Sequence, residues 1–405
     1  MIYIDNKKAC CGCWACVQRC PRNCITMHED EEGFSYPIVD TSACIECGLC
    51  EKVCPVLNQA EAKRPLDVYA AINPNEEVRL NSSSGGIFSQ LAEKVIADGG
   101  VVFGARFDEH WKVVHDYCDT LAGLAAFRGS KYVQSRIGAC YRHAENFLKA
   151  GRRVLFSGTS CQIAGLHRFL GKEYDNLLTV DVICHGVPSP LVWRKYVEAI
   201  KTCPQRIIGK NTTLHFADKN TAIAGIAFRD KSSGWKRYGF TVRSIDENNQ
   251  ERILFRETFY ENLFMDGFLK DIYLRPSCYA CPSKSGKAQS DITLGDYWGI
   301  EHQHPAMDDD KGTSLVLLHT DKGRMAFGAL DCSIEASTYE QALAGNPSLE
   351  RSVEKSLVRK YFYRKFKRSQ NVEVIKKTLN KSSSSLGARL KFNIKRIGRF
   401  IFNRI

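Results

Sequence analysis

Ten of the chain's 18 cysteines fall within its first 54 residues, and eight of those ten form two runs of identical spacing. Cys10, Cys13, Cys16 and Cys20 precede Pro21, and Cys44, Cys47, Cys50 and Cys54 precede Pro55. Both runs read C-x2-C-x2-C-x3-C-P, the spacing that holds a cubane 4Fe-4S cluster in bacterial-type ferredoxins. Thiolates two residues apart wrap a tight loop around three corners of the cube. The fourth cysteine is expected to open a helix leading away, and in a two-cluster arrangement it ligates the other cluster. This assigns Cys10, Cys13, Cys16 and Cys54 to one cluster, and Cys44, Cys47, Cys50 and Cys20 to a second. Zinc usually takes two C-x2-C pairs and leaves the C-x3-C-P step unexplained. Disulfides would need an oxidising compartment and a signal peptide, and residues 1–8 lack an apolar core. Cys11 and Cys24 fall outside the pattern and read as packed thiols.

Further along, two segments have the form strand, small-residue turn, helix. In the first, Val154-Leu155-Phe156-Ser157-Gly158-Thr159-Ser160-Cys161, the spacing predicts a buried strand delivering Cys161 to a helix N-terminus, where the dipole favours thiolate. The apolar strand 177–183 ends in Cys184-His185-Gly186, so two strands bring cysteines to one sheet edge. Cys278 and Cys281 supply one C-x2-C pair, which is half a site. With Cys161 and Cys184 there are four thiolates, enough for a third cluster; a redox dithiol or a zinc pair are the alternatives. Ser82-Ser83-Ser84-Gly85-Gly86 opens an amphipathic helix, and its free N–H groups suit an anion such as a flavin pyrophosphate. A capped helix with a flexible entry is the simpler local explanation. Lys131, in the glycine-led loop 129–135, places a cation beside Tyr132, as a phosphate or flavin contact or as a plain surface turn.

These residues need a frame, and the pattern predicts one. Residues 1–57 form a small ferredoxin-like domain, with a hairpin around the acidic turn Glu29-Asp30-Glu31-Glu32-Gly33. Residues 58–66 are polar, end near Pro65 and read as a linker. Residues 67–345 alternate strands and helices as a larger mixed α/β domain (about 67–150 and 151–345), with a β-rich insertion over 205–260. Its hairpin loop 230–236, with two lysines and Trp235, is either a cover for a phosphorylated aromatic cofactor or a solvated tip; Asp296 meets a flavin edge or ends a strand. The fold class is α/β, α+β overall, with a basic helical tail over 346–405. Residues 351–405 carry 17 Lys+Arg against 2 Asp+Glu, although the whole chain is only +12, so the body is close to neutral. That points to an anionic surface met by the tail and away from nucleic acid. Phe392, Ile397, Phe400, Ile401 and Ile405 fit one side of an interfacial helix on anionic lipid; a basic helix docking on the protein itself fits nearly as well. No apolar stretch reaches the ~18 residues needed to span a bilayer. Cluster-spaced cysteines argue for a reducing cytosol, with the tail peripheral on the inner face of the membrane.

Taken as a set, segments 82–86, 129–135, 158–162, 184–186, 228–235, 278–281 and 291–299 resemble the family of coenzyme F(420) hydrogenase/dehydrogenase beta subunits, fused here to a two-cluster ferredoxin domain. The resemblance implies a flavoprotein with FAD and an iron–sulfur cluster beside it. It implies an oxidoreductase that moves electrons between clusters, flavin and a two-electron carrier or substrate. The expected order is ferredoxin or another redox partner protein, two N-terminal 4Fe-4S clusters, a third at Cys161, Cys184, Cys278 and Cys281, FAD, and a small-molecule acceptor. FAD is expected near Ser83, Ser84, Gly85, Gly86, Lys131, Ser157, Gly158 and Thr159. Members with such a basic tail resemble those encoded among polysaccharide-biosynthesis genes. Two other readings stand beside this one: a non-catalytic electron-transfer subunit that feeds a partner enzyme, and a membrane-associated scaffold with structural clusters.

Overall fold

The computed structural model describes residues 1–209, 212–215, 222–246 and 248–384. Thirteen strands are described: β1 (Ile25–Glu29), β2 (Ser35–Val39), β3 (Asp67–Ile72), β4 (Val101–Phe107), β5 (Val113–Cys118), β6 (Val154–Thr159), β7 (Leu177–Val182), β8 (Ile223–Asp230), β9 (Gly239–Ile245), β10 (Glu251–Thr258), β11 (Ile292–Asp296), β12 (Ser314–Leu318) and β13 (Ser333–Ser337). Eight of them form a mixed sheet in the order β13-β3-β12-β11-β7-β6-β4-β5. Its centre is parallel, through β4–β6, β6–β7 and β7–β11, and both margins are antiparallel. The central strands β6 and β7 open on the buried apolar runs Val154-Leu155-Phe156 and Leu177-Leu178, because both faces of a parallel centre are covered. The α+β class follows.

The predicted insertion is a separate antiparallel sheet, β10-β9-β8. Its aromatic residues share a core with Trp193, Tyr196, Phe264 and Tyr273. The N-terminal hairpin β1–β2 also matches the pattern, with Asp30 Oδ1 accepting from the Glu32 and Phe34 N–H groups to shape the acidic turn.

In the cysteine runs the helix position differs from expectation. The short helices Ala15–Arg19 and Leu49–Lys52 lie before the fourth cysteine of each run, not after it. The reason is the proline. A residue preceding proline is pushed out of the helical region, and Cys20 stands at φ −68°, ψ 117°. Left-handed residues occupy matching places in the two loops, Gly12 and Trp14 in the first and Glu46 and Gly48 in the second. These turns alternate with the cysteines and keep successive thiols on the inside of the loop.

The ferredoxin-like domain is seated on the body. Gln18 Oε1 accepts from the Tyr141 and Arg142 N–H groups, capping the helix Cys140–Lys149, which has no cap from its own flank. Gly165 lets the helix Ser160–Leu170 approach closely, since a Cβ there would stand 2.9 Å from Cys13 Cβ. The acidic turn meets bases of the body: Glu29 pairs with Arg194, Glu31 with Lys367 and Glu32 with Arg359.

Arg359 and Lys367 belong to the start of the basic tail, and this described part packs on the protein itself. The helix Arg359–Ser369 buries Arg359, Phe362, Tyr363 and Phe366, and the Phe362 ring packs against that of Tyr273 at 5.5 Å. Its aromatic face is core and its bases point outward or to the acidic turn. The interfacial-helix residues Phe392, Ile397, Phe400, Ile401 and Ile405 lie outside the described residues. Among the described residues no helix is long and apolar enough to cross a membrane.

Candidate functional site: three groups of cysteines

Two cavities in the N-terminal domain sort the eight patterned cysteines. One is lined by Cys20, Cys44, Cys47 and Cys50, the other by Cys10, Cys13, Cys16 and Cys54. In each, the fourth cysteine comes from the other run. Cys24 also lines the first, with its Sγ 3.4 Å from that of Cys20, and Cys11 lines the second. Among the described residues no three His, Cys, Asp or Glu side chains are grouped to hold a single metal ion. A cube is gripped at its corners, so its ligands stand further apart than those of one ion. The donor set of each cavity therefore fits a cubane cluster.

The third group assembles from three elements. Cys161 is the second residue of the helix after β6, and Cys184 follows β7, the parallel neighbour of β6. Cys278 lies in the 3-10 turn Pro276–Ala280, and Cys281 ends it with an extended backbone before Pro282. Burial pushes the Cys184 thiol up to about 12, and the charges of Cys161 and Cys281 add to the rise. Burial likewise raises Cys278, with Cys184, Cys161 and Cys281 adding. Each of these two thiols thus feels the charge of other members of the group, and all four side chains are partly buried. Such thiols stay protonated unless a metal takes the proton's place, and the arrangement fits a third cluster. Cys11, read as a packed thiol, is buried with Cys13 and Cys161 as its neighbours. It joins the second N-terminal cavity to the third group, a placement that no spacing rule signals.

The expected flavin residues fall in two places. Ser83 Oγ lies 2.8 Å from Ser130 Oγ and accepts from the Ser130 N–H, which closes the 82–86 and 129–135 loops on each other. Ser84 Oγ donates to the Gly295 and Thr313 carbonyls, and a Cβ on Gly85 would strike Ala71 O at 2.4 Å. Gly86, at φ +85°, caps the helix Ile87–Ala97. Lys131 Nζ donates to the carbonyls of Ala126, Arg128 and Gly129, just before it in the chain, so its charge is spent internally. Ser157, Gly158 and Thr159, expected as a turn, are the paired end of β6, and the helix carrying Cys161 starts directly after them. Ser157 Oγ donates to Phe103 O, Thr159 Oγ1 is 3.4 Å from Cys161 Sγ, and His115 Nε2 donates to Ser157 O.

The hairpin loop 230–236 is anchored, not a solvated tip. Trp235 is buried, stacks on Trp298 at 4.8 Å and donates to Asp296 Oδ1. Lys231 Nζ donates to the carbonyls of Arg79, Ser84 and Lys311. Arg229, which the sequence did not single out, is buried beside Ser83, pairs with Asp296 at 3.0 Å and faces the Tyr238 and Trp298 rings. Its Nε is buried without a partner. An unsatisfied guanidinium N–H among aromatic rings, next to the serine loop, suits an anionic aromatic ligand.

Two segments of the chain match known protein families. Residues 9–58 match the 4Fe-4S dicluster domain, and residues 151–341 match the C terminus of the coenzyme F420 hydrogenase/dehydrogenase beta subunit. The F subunit of the F(420)H(2) dehydrogenase of Methanosarcina mazei is 22% identical over 173 residues, 39% of this chain and 48% of that protein. The coenzyme F420-dependent sulfite reductase of Methanocaldococcus jannaschii is 24% identical over 199 residues, 48% of this chain and 30% of that protein. A 7Fe ferredoxin of Hydrogenibacillus schlegelii is 48% identical over 42 residues, 10% of this chain and 47% of that protein. The chain thus spans less than half the length of these curated relatives. A chain of the F420-reducing [NiFe] hydrogenase complex from Methanosarcina barkeri superposes with a TM-score of 0.42 at 17% identity, covering 80% of this chain and 95% of that one. Residues 9–58 are thus those of a 4Fe-4S dicluster domain, and the body over residues 151–341 matches the C-terminal domain of coenzyme F420 hydrogenase/dehydrogenase beta subunits.

Proposed function

We propose that the chain is an iron–sulfur flavoenzyme. It accepts single electrons from a redox partner protein, ferredoxin or one like it, and passes them to a small-molecule two-electron acceptor. The observation that carries this reading is the convergence of Cys161, Cys184, Cys278 and Cys281 beneath the N-terminal cysteine loop, with Cys11 between. Clusters handle electrons one at a time, whereas FAD stores two and releases them together. Cys10, Cys13, Cys16 and Cys54 would hold one cluster, Cys44, Cys47, Cys50 and Cys20 another, and the central four a third. Cys47 is exposed, which gives the outer site an open side for a partner. Cys161 and Cys278 lie in the body and are partly buried.

We place FAD against Ser83–Gly86 and the end of β6 at Ser157–Thr159, with the free Nε of Arg229 as its anion contact. Lys131 shapes that wall by tying its loop closed. The paired variant C278S/C281S tests the central site. It should purify with about four irons fewer than the parent, on the four-iron stoichiometry of a cubane. Retention of all the parent's iron would remove the central site from the account. A second reading, an electron-transfer subunit that feeds a partner enzyme, draws support from a relative that is itself named as a subunit. Reduction of a free acceptor by the purified chain separates the two.

A further inference from the structure

Arg275 is 1% exposed, and it is wedged between two of the three cysteine groups. Its Nε donates to Cys10 O at 2.8 Å, one terminal nitrogen to Gln134 Oε1 at 2.9 Å and the other to Ser35 O at 3.0 Å. That last nitrogen also stands 3.5 Å from Cys10 Sγ. The guanidinium faces the Tyr36 ring at 4.5 Å and the Phe34 ring at 5.5 Å. On its other side the backbone runs directly into the central group, because the Cys278 N–H donates to Arg275 O at 3.0 Å. The fit is close: a Cβ on Gly12 would stand 2.8 Å from the guanidinium.

These hydrogen-bond acceptors are carbonyls, an amide and a thiol, and none is a carboxylate. A guanidinium does not shed its proton in a protein, and a buried charge without an opposite charge is strongly unfavourable. Cation–π contacts with Tyr36 and Phe34 recover part of the cost but leave the charge unneutralised. The groups at hand that can carry negative charge are the thiolates of Cys10 on one side and of Cys278 on the other, since the neighbouring Cys13 and burial raise the Cys11 thiol, burial raises the Tyr36 phenol, and both stay neutral. Net charge and hydrogen bonds to the sulfurs are among the factors that set a cluster's reduction potential.

We infer that Arg275 is a positioning residue whose counter-charge is the thiolate-ligated clusters themselves, and that it raises the potentials of the Cys10/Cys13/Cys16/Cys54 and Cys161/Cys184/Cys278/Cys281 sites above that of the outer Cys44 site. The central half of this inference rests on the proposed third cluster. A cation favours the more negative, reduced state, so the gradient it imposes runs inward, from the exposed Cys47 edge towards the body. Gln134 assists by holding one guanidinium nitrogen through Oε1 while its amide donates to Cys11 O at 3.0 Å.

The test is a redox titration of the full chain, purified anaerobically and followed by electron paramagnetic resonance, on the parent, R275M and R275K. R275M with the parent's iron content should lower two of three cluster potentials by at least ~59 mV, a tenfold change in a one-electron equilibrium. The outer site should stay where it is, and R275K should return most of the shift. Should R275M fail to hold iron, Q134E carries the test: it sets a carboxylate against the same guanidinium and should move the same potentials down. Unchanged potentials, or an equal shift at all three sites, would overturn the inference. A parent with about eight irons would instead remove the central site alone. The inference would then require one moving signal, from the Cys10 site.

Discussion

The pairing of Glu32 with Arg359 ties the N-terminal hairpin to the described part of the tail, and its burial makes its removal measurable. The side chains are 15% and 8% exposed, and both guanidinium terminal nitrogens engage the carboxylate. E32Q preserves shape but strands a buried cation. Removing one partner of a buried pair costs about 3–5 kcal/mol. Arg359 would keep its bond to Leu274 O at 3.1 Å and its contact with the Tyr363 ring at 4.6 Å, so the lower end applies. At about 2.1 cal/mol/K per residue, a 405-residue chain melting as one unit loses roughly 3–4 °C for that ~3 kcal/mol. The assay is anaerobic thermal unfolding of the parent, E32Q, R359M and the double variant. The double variant should be more stable than E32Q alone, because it removes the stranded charge. An E32Q melt within a degree of the parent's, or strictly additive losses, would refute the claim that this pair fastens the domain.

Other tests bear on separate parts of the structure. Burial holds the His115 imidazole down at about 4, with its Nε2 donating to Ser157 O. The unfolded chain takes up this proton near pH 6.5 and the folded chain does not until about 4, so stability falls as pH drops through that window. H115Q should flatten the fall between pH 7 and pH 5 by about 2 kcal/mol, at 1.36 kcal/mol per pKa unit; an unchanged slope in matched melts counts against it. C24S should keep the parent's iron whereas C20S loses part of it, because only Cys20 stands in the C-x3-C-P step; equal loss in iron assays would show Cys24 to be the ligand. Gly33, at φ +85°, leaves no room for a side chain, since a Cβ would meet Leu191 Cβ at 2.2 Å. G33A should loosen the hairpin and expose its backbone to faster hydrogen exchange than in the parent.

Spacing carried the N-terminal site, because a cubane fixes the distance between its ligands along the chain. The crossing of Cys20 and Cys54 followed from the same rule and matches the two cavities. Apolar runs located β6 and β7 to within a few residues, since a covered parallel centre admits little else. What stayed hidden depends on segments far apart in sequence. Arg275 reaches Cys10 across 265 positions, and no local pattern marks a cation whose partners are carbonyls and sulfur. Cys11 looked like a spare thiol until the body placed Cys161 beside it. Phe362, Tyr363 and Phe366 formed an aromatic stripe among bases, which composition cannot tell from a membrane face; packing against Tyr273 decides it. Lys131 and Lys231 had the right type for phosphate, but loop carbonyls claim both.

Anaerobic purification followed by iron, sulfide and flavin quantitation on one sample tests the central claim most directly. About twelve irons and one FAD per chain are expected from three cubane sites and a flavin site. About eight irons without flavin would leave a two-cluster module on an inert body and would contradict the account.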